Sequence, residues 1–146
     1  APAIAINNNW DDILKSYDMD YIRINSLKDM EQVEKGQIVI MTFNMLMKYE
    51  RQVKNYIKKQ SKKVMLVLDE ADNIANPSSK RTKAVLNCFR RVKYKVLMSA
   101  TSTRNNIAES FTAFELLYNN SHNLISKSPM YYVENKKLKE ITIKGM

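Results

Sequence analysis

The chain reads as a layered α/β domain built on a mainly parallel sheet. Short β-type runs alternate with helix-type segments along most of its length, the order produced when helices cross over between parallel strands. Two of the runs, IVIMT at 38–42 and VMLVL at 64–68, are apolar on both parities, as strands covered on both faces are. With 146 residues and 45% hydrophobic content, the chain can bury one real core.

The first β-type run is AIAI at 3–6, followed by a helix over 10–17 with Trp10, Ile13, Leu14 and Tyr17 on one side. A second run lies at 21–24 and the third at 38–42. Residues 44–59 carry Leu46, Tyr49, Val53 and Ile57 at helical spacing. The fourth run, 64–68, ends on carboxylates. Ser78 or Ser79 can cap the next helix, whose buried stripe is Ala84, Val85, Cys88 and Phe89. A fifth run, 96–98, precedes a helix entered through Asn105-Asn106 and marked by Ile107, Phe111, Phe114 and Tyr118. MYYV and LKEITI flank residues 134–137 as a β-hairpin or an outgoing strand. The expected division is one α/β domain over 1–128 and a β-hairpin or strand extension over 129–146.

Composition excludes several classes. No apolar run approaches the roughly 18 residues that cross a membrane, and the first residues lack the basic-then-apolar order of a signal peptide. One cysteine, Cys88, and one histidine, His122, leave no internal disulfide and no ordinary zinc set. The net charge of +9 suits a polyanionic partner. Abundant lysine and asparagine fit an AT-rich genome equally well.

The chemistry centres on VMLVLDEAD. In open α/β sheets ligands gather at the carboxyl ends of strands, and this strand delivers Asp69, Glu70 and Asp72 there. Asp69 can hold Mg²⁺ through water, since a hard cation takes carboxylate oxygen. Glu70 can orient or deprotonate a water that attacks a γ-phosphate. About thirty residues on, another apolar strand runs into Ser99, Ala100 and Thr101. Carboxylates and hydroxyls would then share one rim, with Ser99 and Thr101 able to bond Asp72 or Glu70.

From 68 to 118 the chain resembles the central block of the first motor domain of Swi/Snf-like superfamily 2 helicases and translocases. That family follows its acidic box with a loop ending Asn-Pro, here Asn76-Pro77, and a Ser-Lys-Arg-Thr-Lys-Ala helix, here 79–84. A strand then enters a Thr/Ser-Gly/Ala-Thr motif, here 99–101, and Asn105-Asn106 leads a helix with Glu109. Upstream, APAIAINNNWDDILKSY and IVIMTFNML resemble the family's Pro-containing strand, Asn-Trp helix and next strand. Ala75 stands where the family often has lysine, Asp72 where histidine is commoner, and SATS where TGTP is usual.

The resemblance implies a three-layer RecA-like, P-loop NTPase-type domain, incomplete at its N-terminus. It also implies ATP and Mg²⁺ as cofactors and a second RecA-like motor domain of the same protein as partner. DNA, double-stranded and held by its phosphates, is the implied substrate. Site residues carried over are Asp69, Glu70 and Asp72 for the nucleotide, with Ser99, Ala100 and Thr101 coupling its state to movement. Thr42, Asn44, Asn76, Ser79 and Lys80 are carried over for nucleic acid, with Pro2 and Ala3 near the first loop. Phe43 reads as core, and Trp10 and Tyr17 as packing residues.

The only glycines are Gly36 and Gly145, so no phosphate-binding loop can be written in this chain. The expectation is a piece that starts just after that loop and hydrolyses no ATP alone, from a bacterial or phage protein of the cytoplasm. A metal-dependent nuclease using the three carboxylates, or a non-catalytic nucleic-acid-binding module, are the competing classes.

Overall fold

A computed structural model describes residues 10–60, 63–100 and 110–118. In chain order they form α1 (Asp11–Ser16), β1 (Tyr21–Arg23), α2 (Leu27–Glu31), β2 (Ile38–Ile40), α3 (Phe43–Lys48) and α4 (Glu50–Gln60). Next come β3 (Met65–Leu68), a 3-10 helix (Ala71–Ile74), α5 (Lys80–Phe89), β4 (Tyr94–Leu97) and α6 (Phe111–Tyr118). The expected elements at 3–6 and in the tail, with Ile107, lie outside the described residues.

Strands pair in parallel, as expected of an α/β chain, but as two separate pairs among the described residues. β1 pairs with β2, Tyr21 opposite Ile38, and β3 pairs with β4, Met65 opposite Tyr94. Gly36 turns the chain into β2 at φ +91°, a conformation that carries a penalty for any residue with a Cβ.

The core lies between β3 and the helices α3 to α6. Phe43, Leu46, Tyr49, Val53 and Ile57 pack with Leu66, Leu68, Ile74, Ala84, Val85, Cys88, Val92 and Leu116. A smaller cluster joins Leu14 and Ile40 with Trp10, Tyr21 and Ile38. Ser79, not Ser78, caps α5: its Oγ accepts the Thr82 N–H at 3.1 Å. Ala84, Val85 and Cys88 are buried as expected, Phe89 only partly, and Thr82 completely.

Three expectations need correction, and one element was not expected. Residues 64–68 were expected to be covered on both faces, yet Met65 and Val67 are 57% and 45% exposed beside Tyr94 and Val96 at 52% and 39%. Only Leu66 and Leu68 turn into the core, because the helices of the described residues cover one face of the pair. The helix over 44–59 is two helices: Tyr49 leaves helical geometry at φ −115°, ψ 26° with its ring buried in the core. On α1 only Leu14 is buried, while Ile13 and Tyr17 face outward. Finally, α2 was not foreseen; the Asp29 carboxylate accepts the Ser26 and Asn25 N–H groups at 2.7 and 2.8 Å and so starts the helix.

Candidate functional site

The parallel register sets Leu68 opposite Leu97, so Asp69 and Met98 leave the sheet side by side. Main-chain bonds extend this pairing past both strands. The Met98 N–H donates to the Leu68 carbonyl at 2.9 Å, and the Ala71 N–H to the Met98 carbonyl at 2.8 Å. Asp69, Glu70 and Asp72 therefore share a rim with Ser99 and Ala100, which are exposed directly after β4. Thr101 lies outside the described residues.

Backbone geometry at the rim is unusual. Glu70 sits in the left-handed region at φ 52°, ψ 55°, uncommon for a residue with a side chain. Two donors hold its carbonyl, the Asn73 N–H at 2.9 Å and Asn73 Nδ2 at 3.1 Å. Asn73 Oδ1 in turn accepts from Arg81 Nη1 at 2.7 Å. The Arg81 guanidinium lies 4.9 Å from the centre of the buried Phe43 ring, a cation–π distance. Asn73, Arg81 and Phe43 thus link the acidic loop to α5 and α3.

Both oxygens of Asp69 are engaged. Oδ1 accepts the Glu70 N–H at 3.0 Å, and Oδ2 accepts the Trp10 indole Nε1–H at 2.9 Å. An ionised carboxylate offers about four lone-pair sites, so two remain for the water shell of a divalent cation. The donor set fits Mg²⁺, which keeps several waters and takes one or two carboxylates beside phosphate oxygens. Among the described residues no three His, Cys, Asp or Glu side chains converge as a metal cluster.

Of the residues carried over for nucleic acid, Thr42, Asn44, Asn76, Ser79 and Lys80 occupy two helix starts and the turn before the second, while Pro2 and Ala3 lie outside the described residues. Thr42 Oγ1 caps α3 by accepting the Met45 N–H at 3.2 Å, and Asn44 is exposed on its first turn. Asn76 Oδ1 accepts the Ser78 N–H at 2.9 Å, which shapes the turn into α5. Lys80 and Lys83 are exposed on the opening turns of α5, where no acidic residue stands. Lys58 and Lys59, by contrast, end α4, where the helix dipole favours cations. Lys80 and Lys83 oppose that dipole, so α5 presents a concentrated positive end.

Trp10, Asn73 and Arg81 are the participants that sequence reasoning did not place at the rim. A half-buried indole N–H needs an acceptor, which is a signal, but nothing local names an acceptor 59 positions away.

A parallel α/β pairing that sets the carboxylates after β3 beside Ser99 after β4 has the arrangement of an α/β domain that gathers a ligand at the carboxyl ends of its strands. A family model for the SNF2-related domain matches residues 4–127, and the chain belongs to that family, the first motor domain of Swi/Snf-like superfamily 2 helicases and translocases. No curated protein matches the chain.

Proposed function

We propose that this domain supplies the metal-and-water half of the ATP site in a DNA-dependent translocase or helicase. The observation that carries the reading is the shared rim: Asp69 and Glu70 end β3 beside the hydroxyl-bearing end of β4. Asp69 would hold Mg²⁺ through water, and the metal supplies charge neutralisation at the β- and γ-phosphate oxygens. Glu70 orients the attacking water and takes its proton. Asp72 and the 99–101 segment relay the state of the nucleotide.

The phosphate-binding loop lies outside these residues on this reading, as does the second motor domain that closes the cleft with arginine. Residues 1–128 belong to the RecA-like three-layer motor and 129–146 extend beyond it. Duplex DNA runs over Thr42, Asn44, Asn76, Ser79 and Lys80, with short side chains, helix starts and lysine gripping phosphates irrespective of sequence. The opposed charge on α5 supports this path. A bacterial or phage-infected cytoplasm is the proposed setting, and among the described residues no helix is long and apolar enough to cross a membrane.

The test is a paired assay on the protein that contains this domain, with Mg²⁺ and duplex DNA. ATP turnover stimulated by DNA, with the DNA left intact, is expected. Magnesium-dependent cleavage of the DNA without ATP turnover would overturn the motor in favour of a nuclease. The 146-residue chain alone is expected to hydrolyse no ATP.

A further inference from the structure

Trp10 is the chain's only tryptophan, and its place is fixed from two sides. Its ring packs against the buried cluster of Leu14 and Ile40, on α1 and β2. The neighbouring residue, Asp11, is tied to β1 by an ion pair with Arg23 at 3.3 Å. From that base the indole N–H reaches the Asp69 carboxylate, at the end of the other strand pair, at 2.9 Å.

Three features separate this bond from simple satisfaction of an indole. Indole nitrogen is a donor only, so it holds a carboxylate oxygen and never competes with it for a cation. The bond falls on the carboxylate that ends β3 at the rim. It also works with the Glu70 N–H on the other oxygen, so the plane of the carboxylate is set by two donors on different segments. Removing one leaves the group free to rotate about its χ2 torsion, which is broad for Asp.

We propose that Trp10 is a positioning residue: its indole N–H orients Asp69 so that the remaining lone pairs face the site of a hydrated divalent cation. This rests on reading Asp69 as the metal-side carboxylate. The indole thereby couples the α1 and β1·β2 unit to the acidic loop. Donors that orient metal-binding carboxylates typically change metal affinity or activity by 10–100-fold when removed.

Two measurements test it. In the ¹⁵N-labelled 146-residue chain the single indole N–H gives one signal. Asp69→Ala should shift that signal and speed its solvent exchange roughly tenfold, whereas Asp12→Ala should leave it in place. An indole signal indifferent to Asp69→Ala overturns the proposal.

In the protein that contains the domain, Mg²⁺ is titrated at saturating ATP and DNA. Trp10→Phe should raise the Mg²⁺ needed for half-maximal turnover roughly tenfold, with the half-saturating DNA concentration unchanged. Benzothienylalanine at position 10 deletes only the N–H while keeping the bicyclic shape, and should do the same if Trp10→Phe fails to fold. Unchanged Mg²⁺ dependence, with Asp69→Ala inactive, overturns the positioning role and leaves the nucleotide reading standing. Full turnover by Asp69→Ala overturns both.

Discussion

Glu70 is the most constrained residue of the rim. A left-handed residue with a side chain carries about 1–3 kcal/mol of backbone strain, and here the Asn73 donors hold it in place. Asn73→Ala should therefore release Glu70 and free Arg81 at once. The expected outcome is loss of ATP turnover in the protein containing the domain, with a melting temperature only modestly lowered. Lys80→Ala belongs to the other surface: it should weaken duplex binding irrespective of sequence and reduce the salt slope by about one. An unaltered slope would remove Lys80 from the phosphate path. Cys88 reports on the core. Burial, reinforced by the nearby Glu50 charge and opposed by Lys54, pushes its thiol up from 9.0 to about 11. The folded state thus keeps the proton longer than the unfolded state. The stabilisation is complete below pH 9 and fades as pH rises toward 11. Stability curves across that window should fall for wild type and flatten for Cys88→Ala. At pH 8, iodoacetamide should modify Cys88 far more slowly in the folded chain than in denaturant.

At the scale of elements, α5 joins the acidic loop to the core. Thr82 Oγ1 donates to the Ile74 carbonyl at 3.1 Å, and Thr112 Oγ1 of α6 donates to the same oxygen. Lys95 of β4 donates to the Leu116 carbonyl at 2.6 Å and to the Arg90 carbonyl at 2.9 Å, and its partial burial lowers its pKa from 10.5. Ser79→Ala should cost about 1 kcal/mol through the lost cap, read as a shift in the urea midpoint, while Ser79→Asp should restore it. The start of α5 was legible because capping is local: a Ser-Ser pair before a period of 3.6 marks it. The split at Tyr49 was not, since no glycine or proline marks it and the helical spacing of the buried residues runs through it unbroken. The carboxyl ends of β3 and β4 were legible from apolar runs that stop on polar residues. Their adjacency and register are long-range properties, and the Trp10–Asp69 bond is longer-range still. The left-handed Glu70 had no local signal, because no glycine or asparagine occupies the position.

On the scale of the whole molecule, the described residues place helices on one face of the β3·β4 pair and leave Met65, Val67, Tyr94 and Val96 exposed on the other. Runs apolar on both parities announced strands, but the two-face cover expected from them is not what the described residues show, since helices pack on one face alone. An apolar face of this kind favours association. The 146-residue chain should therefore enhance dye fluorescence in an ANS titration, and Val67→Lys should reduce it without changing the fold. Charge is arranged at the same scale: basic residues that end α4 agree with its dipole, whereas those that begin α5 oppose it. That opposition places positive charge on the helix that follows the acidic loop; on the proposed reading, a metal-bound triphosphate and a DNA backbone would be held by one region without sharing residues. The decisive measurement is ATP turnover by Glu70→Gln in the protein containing this domain, with duplex binding followed in parallel. A fall of about 10²–10⁴-fold in turnover at unchanged DNA affinity is the predicted result. Wild-type turnover by that variant would contradict the assignment of the β3 rim to the ATP site.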